Sequence, residues 1–131
     1  MKILKEGCNG DEVKIVQYLI GYTSKLGNFT SALTDKVKTF QKSNGLVPDG
    51  IVGNDVRYAL AVSAPVLRQS KTRKNVNRAW QMLLGVKADG IFGKDTLAKT
   101  KEFQQQNGLK ADGVVGVNTW SKALEATKTN I

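Results

Sequence analysis

The stretch Asp89–Gly116 reads DGIFGKDTLAKTKEFQQQNGLKADGVVG and predicts a turn, a helix and a second turn. Each Asp-Gly dipeptide indicates a turn, because glycine adopts a positive φ at no steric cost. A helix is expected to begin after Gly93, where acidic and small polar side chains fill its first turn. It is expected to end at Asn107-Gly108, since glycine is favoured just beyond a helix C-terminus.

The same pattern occurs a second time, earlier in the chain. A shift of 63 residues (49 to 112) places the Asp-Gly turn at Asp49 on the turn at Asp112, and it places Phe40 on Phe103. Further upstream the shift is one residue longer, as expected if one residue has been lost in a loop. A match that extends over both halves of the chain indicates an internal duplication.

Two ordered motifs carry a resemblance to a known family. The first, Gly-Asp-x-Val followed by Gln and Gly at fixed spacing, covers Gly10–Gly21. The second, Asp-Gly-x-Phe-Gly-x-x-Thr followed by Phe-Gln, Gly-Leu, Asp-Gly and Thr-Trp, covers Asp89–Trp120. This order resembles the three-helix peptidoglycan-binding domain that is attached to many bacterial and phage cell-wall hydrolases. The resemblance extends, in two copies, over nearly the whole chain.

The resemblance implies an all-α fold of two tandem three-helix repeats with short Asp-Gly turns, residues 1–65 and 66–131. It implies peptidoglycan of the bacterial cell wall as the ligand and a non-catalytic role, as in the wall-targeting part of a phage endolysin or an autolysin. A catalytic hydrolase domain is then expected on a separate or missing segment. The alternative is a structural or interaction module, such as a virion component or a dimerisation piece, on the same scaffold.

Hydrophobic periodicity predicts three helices in each half, with Pro65 at the boundary because proline cannot continue a helix. The predicted helices cover residues 12–22, 31–43, 54–62, 74–84, 94–106 and 117–127. Aromatic side chains at repeat positions are expected to fill the core; these are Phe29, Phe40, Phe92, Phe103 and Trp80. Gln41 and Gln104, which follow a repeat phenylalanine, are expected to bind loop backbone.

The residue types exclude most catalytic chemistry. The chain has no histidine, which removes the usual general base, most zinc sites and every Ser-His or Cys-His nucleophile. Most of its 11 acidic residues lie in Asp-Gly turns or first helical turns, where local backbone hydrogen bonds explain them. The Asp-Gly-x-x-Gly loops match neither a phosphate loop nor a calcium loop. We therefore expect no enzyme activity, no cofactor and no metal.

The net charge of +9 lies mostly in the second half of the chain. Residues 1–65 carry +2 (eight basic, six acidic) and residues 66–131 carry +7 (twelve basic, five acidic). A basic surface favours an anionic partner, but the chain lacks the recognition helix or aromatic–basic platform of a nucleic-acid binder. No apolar run reaches the roughly 20 residues of a membrane span. Neither nucleic acid nor membrane is therefore expected as a partner.

We expect the protein to act at the bacterial cell wall. The N-terminus lacks the apolar segment of a signal peptide. Two interpretations stay open: a phage-encoded protein that is held in the cytoplasm until lysis, and a fragment of a larger protein.

Candidate ligand-binding residues cluster at the Asp-Gly turns and at the last helix of each repeat. A flat ring in a surface groove can stack on the apolar face of a sugar, which makes Trp120 and Tyr58 candidates; half-buried packing is the alternative for both. The full candidate set is Asp112, Asn118, Trp120, Asp89, Phe92, Asp49 and Tyr58.

The second repeat is expected to dominate binding. It keeps both Asp-Gly-x-x-Gly turns, whereas the first repeat has Gly27–Ser31 in place of one of them. It also carries most of the charge, and it has Trp120 where the first repeat has Arg57.

Overall fold

Six helices form the protein in a computed structural model that describes residues 3–69 and 73–126. They are α1 Asp11–Ile20, α2 Ser31–Ser43, α3 Asn54–Ser63, α4 Lys74–Leu84, α5 Lys94–Gln106 and α6 Val117–Ala126. The all-α prediction of two three-helix repeats is confirmed. The predicted bounds of α2, α4 and α5 agree with the structure, and Thr127, the predicted end of α6, lies outside the described residues.

The helix ends follow from local chemistry. Gly21 and Gly85 end α1 and α4 in the left-handed conformation, with φ of 87° and 77°, which glycine adopts without steric cost. The side chain of Thr30 accepts a hydrogen bond from the backbone N–H of Leu33 and caps the N-terminus of α2. Helix α1 begins at Asp11, and Gly10 takes the N-cap position, where no side chain caps the helix.

The two repeats pack on each other and share one core. Helix α1 lies against α4, and α3 lies against α6, so equivalent helices of the two repeats meet in pairs. A short antiparallel bridge joins Leu4 to Val52 in the first repeat, and the equivalent bridge joins Leu67 to Val115 in the second. The division at residue 65 therefore separates two sequence repeats whose buried faces contact each other, while the domain ranges 1–65 and 66–131 stay a prediction.

The core of the second repeat is built on two indole rings. Trp80 is fully buried, and its ring lies edge-on to Trp120 at 5.4 Å and to Phe103 at 5.6 Å between centroids. Its Nε1–H donates to the hydroxyl of Thr100 at 2.9 Å, so the polar end of the ring is satisfied. The core prediction is confirmed for Trp80, and likewise for Phe29 and Phe92, which are each 2% exposed.

Two of the repeat phenylalanines are less buried than the sequence predicts. Phe40 and Phe103 lie at the margin of the core and are half-buried. Phe103 packs one edge on Trp80, and its other side faces a groove that it shares with Leu83 and Val86. Both rings pack against the core, as the sequence predicts, but from its margin, where part of each ring stays exposed.

A buried arginine takes the place of an indole in the first repeat. Arg57, which corresponds to Trp120, is only 2% exposed, and its Nη1 donates to the carbonyl of Val52 at 3.2 Å. Burial lowers the pKa of Arg57, and the nearby negative charge of Glu12 partly offsets this effect. Arg57 and Glu12 border the same small cavity as Leu124 of α6, which places this charge pair at the junction of the repeats.

Over residues 3–69 and 73–126, the structure has no helix that combines the length and the apolarity needed to cross a membrane.

Candidate functional site

A buried glutamine organises the loop between α5 and α6. Gln104 is 1% exposed, and its Oε1 accepts the backbone N–H of Gly113 at 2.9 Å. Its Nε2 donates to the carbonyl of Val114 at 2.9 Å, to Asp112 Oδ1 at 3.2 Å and to Thr119 Oγ1 at 3.1 Å. Gln104 lies near the C-terminus of α5, and its side chain bonds the backbone on both sides of the following turn. The predicted role of Gln104 is therefore confirmed.

The same arrangement recurs at two other turns. Gln81 accepts from the N–H of Gly90 at 2.9 Å and donates to Asp89 Oδ1 at 2.9 Å. Gln41 accepts from Gly50 at 2.9 Å and donates to Asp49 at 2.8 Å, which confirms the prediction for Gln41. Each glutamine thus fixes one aspartate carboxylate at the surface.

The loop between α1 and α2 keeps the glutamine but not the aspartate. Gln17 accepts the N–H of Gly27 at 2.7 Å and donates to the carbonyl of Ser24 at 2.9 Å. Lys25 and Leu26 stand between these two contacts, so no carboxylate is held at this corner. The predicted departure of the first repeat from the pattern therefore changes the chemistry of the corner while the backbone anchor remains.

Backbone hydrogen bonds hold the three turn aspartates in their charged form. The N–H of Val114 bonds Asp112 Oδ1 at 2.9 Å, and this contact lowers the pKa of the Asp112 carboxyl, with Gln104 adding to the effect. The N–H groups of Ile51 and Ile91 lower the pKa of Asp49 and Asp89 in the same way. All three carboxylates are exposed, so each turn presents a fixed negative charge to the solvent.

The turn glycine is required for two reasons at Gly113. Its φ is 74°, which side-chain-bearing residues rarely adopt. A Cβ at this position would also collide with the side chain of Leu97 and would lie 3.3 Å from Cε of Lys101. The side chains of Leu97 and Lys101 therefore cover the turn, and a residue larger than glycine would require them to shift.

The exposed side of the Asp112 turn forms a groove of about 340 Å³ between the turn and the start of α6. Asp112 and Lys110 give it one negative and one positive charge, and Asn118 adds an amide that can donate and accept. Leu109 and Val117 supply apolar surface. The groove thus joins two candidate residues, Asp112 and Asn118.

The remaining candidates lie at separate places. Asp89 lines a second groove of about 440 Å³ between α4 and α5. Tyr58 is exposed and lies with Ser121 at a groove of about 220 Å³ between α3 and α6. Asp49 stands exposed in the turn before α3, in the other repeat. The structure therefore distributes the candidates over four surfaces.

Two aromatic candidates are buried. Trp120 is 0% exposed, and its Nε1–H donates to the carbonyl of Pro65 at 3.0 Å. Phe92 is 2% exposed. Neither ring offers a face to a sugar, so the expected stacking on Trp120 and ligand contact by Phe92 are corrected. The spacing of Trp120 to Ala123 and Leu124 already placed it on the buried face of α6, since residues three and four apart share one side of a helix.

Sequence reasoning missed Gln81, Lys110 and Thr119 as parts of these corners. A sequence signal for the glutamine was present, because Gln-Asp pairs eight residues apart occur at Gln41, Gln81 and Gln104. Each pair is followed directly by glycine. The helix C-terminus and the turn are therefore coupled by a spacing that can be found without a structure.

Among the described residues, no group of three or more Cys, Asp or Glu side chains could hold a metal ion.

The chain matches a known family of domains in two places. The model of the peptidoglycan binding domain family matches residues 9–60 and 75–122, together more than half of the chain. The chain belongs to this family and contains two copies of its domain. A comparison with curated proteins gave no match.

Proposed function

We propose that this chain is a non-catalytic module that attaches to bacterial peptidoglycan, mainly through the groove between α5 and α6. The observation that carries the proposal is the coincidence of the family match with a built groove at its motif residues. The fixed carboxylate of Asp112 can accept hydrogen bonds from sugar hydroxyls and peptide N–H groups. Lys110 can bind a carboxylate of a stem peptide, and the apolar side of a sugar ring can lie on Leu109 and Val117.

The first repeat differs from the second at two positions of the groove. At the equivalent corner it has Val47 in place of Lys110 and Val56 in place of Thr119. The cation of the second-repeat groove and the hydroxyl that Gln104 bonds beneath it are thus both replaced by apolar side chains. We therefore assign the principal site to the second repeat, whose excess positive charge also favours approach to an anionic wall.

The electrostatics of the turns support a binding role over a hydrolytic one. A general acid at a glycosidic bond works best with a raised pKa. The pKa values of Asp49, Asp89 and Asp112 are all lowered, because each carboxylate accepts backbone hydrogen bonds. Such carboxylates are suited to orienting a ligand. We further propose that the module directs a hydrolase of an endolysin or autolysin to the wall, with the catalytic domain on a separate segment.

Sedimentation with purified peptidoglycan that is free of teichoic acid tests the proposal. We expect the protein to be retained at 0.1 M and at 1 M salt, where the Debye length has fallen from about 10 Å to about 3 Å, and to release no sugar or peptide. Asn118→Ala should weaken retention at both salts. The matched control is Asn54→Ala, an exposed residue at the start of α3.

Two results would contradict the proposal. Retention that disappears at 1 M salt would mean that charge attraction alone holds the protein on the wall. Product release in proportion to protein would contradict the non-catalytic assignment.

A further inference from the structure

The groove between α4 and α5 repeats the layout of the groove between α5 and α6. A shift of 23 residues (89 to 112) superimposes five lining residues of one groove on five of the other, because each groove lies at an Asp-Gly turn that a buried glutamine holds. The corresponding pairs are Val86 and Leu109, Lys87 and Lys110, Asp89 and Asp112, Asp95 and Asn118, and Thr96 and Thr119. The second repeat therefore presents the same framework twice.

The buried half of this framework is also shared. Gln81 donates to Thr96 Oγ1 at 3.0 Å, as Gln104 donates to Thr119 at 3.1 Å. Each threonine is nearly buried, so its hydroxyl is committed to the glutamine. The difference between the two grooves must then come from the exposed side chains at their rims.

One rim position changes the charge. Asp95 stands where the other groove has Asn118, both at the second residue of their helix. In the α4–α5 groove Lys99 and Glu102 form an exposed ion pair at 3.7 Å and offset each other. The other charged residues of the α4–α5 groove are Lys87, Asp89 and Asp95, which give a net charge of −1 (one basic, two acidic). The charged residues of the α5–α6 groove are Lys110 and Asp112, so that groove is neutral.

We propose that the α4–α5 groove is a second ligand site that selects a segment bearing an ammonium group. This inference rests on the proposed function. The sugars of peptidoglycan are N-acetylated and carry no cation, so the chemical class that fits is the amino-bearing diamino acid of the stem peptide. Its ammonium would lie between the carboxylates of Asp89 and Asp95, and its methylene chain would lie on Val86 and Ala98.

The geometry of Asp89 suits this task. Its Oδ1 is held by the N–H of Ile91 and by Gln81, both at 2.9 Å, so the carboxylate is oriented before a ligand arrives. Preorganisation reduces the entropy lost on binding. The neutral α5–α6 groove, with an amide in place of Asp95, suits an uncharged or zwitterionic part of the same polymer.

Titration with a synthetic stem tetrapeptide that contains lysine tests the proposal. Its control is the same peptide with the lysine side chain acetylated, and amide NMR signals of Ala98 and Val117 report the α4–α5 and α5–α6 grooves. We expect the free-ammonium peptide to shift the amide signal of Ala98 and to bind about fivefold more tightly than the acetylated peptide. Attraction between the ammonium group and one exposed carboxylate at close range is of this size. Asp95→Asn should remove this preference, and Asn118→Asp should create it at Val117.

The result that would overturn the proposal is equal binding of the two peptides, or a preference that survives Asp95→Asn. Sedimentation of the same variants on purified peptidoglycan separates this failure from a failure of the proposed function. If wild-type protein is retained on the wall but does not discriminate between the peptides, only the second site is refuted. If it is not retained at all, the wall-binding role fails first.

Discussion

Replacing Gln104 with alanine should destabilise the protein by about 3 kcal/mol. The side chain is 1% exposed and bonds Gly113, Asp112, Val114 and Thr119. Each net hydrogen bond contributes about 0.5–1.5 kcal/mol, and a buried donor left without a partner costs about 1–3 kcal/mol. The N–H of Gly113 and the carbonyl of Val114 would both lose their partner, and these two losses account for most of the expected destabilisation.

Thermal and urea unfolding measure this loss. For a chain of this size, about 3 kcal/mol corresponds to a fall in Tm of about 10 °C. Gln105→Ala is the matched control, because Gln105 is the next residue of the same helix and is exposed. If Gln104→Ala loses less than about 1 kcal/mol, or no more than Gln105→Ala, then the turn is held by its backbone alone and the reasoning is refuted.

Four further substitutions test the same turn and the core. Gly113→Ala should cost about 2 kcal/mol or more in urea unfolding, since φ is 74° and a Cβ would meet Leu97; a neutral result would mean that the turn relaxes freely. Trp80→Ala should cost about 3–5 kcal/mol and Phe103→Ala clearly less, because only Trp80 is fully buried; equal losses in thermal melts would contradict this order. The pKa of Asp112 is lowered by folding, so its contribution is present above the unfolded value of about 3.9 and is lost as pH falls through the folded value. Asp112→Asn should therefore flatten the acid limb of a stability–pH curve, and an unchanged limb would show that the turn does not depend on the charge.

The helices could be predicted from sequence because their ends are set locally. The Asp-Gly turns and the glycines after α2, α4 and α5 each specify a stop through backbone conformation, which one sequence reveals. The pairing of α1 with α4 and of α3 with α6 could not be predicted in this way. Periodicity shows which side of a helix is apolar, but it does not show which surface covers that side.

The site could be predicted in part for the same reason. Asp112 and Asn118 were found because they lie at a motif turn, and the structure places them in one groove. Trp120 was misplaced because an indole beside a turn suits a sugar site equally well, and burial decides the matter only when the partner helix is known. Lys110 carries no local signature, since an exposed lysine is common in any basic chain.

The two tryptophans of the chain both lie in the second repeat, which has a spectroscopic consequence. Their rings are fully buried, and the indole N–H of Trp120 is bonded to Pro65 at the junction of the repeats. Intrinsic fluorescence thus monitors the second repeat and its junction, whereas far-UV circular dichroism monitors all six helices. Because the repeats share a core, the fluorescence and the dichroism should change together, in one transition on heating. Two transitions would instead reveal a first repeat that folds and unfolds unseen by the emission spectrum.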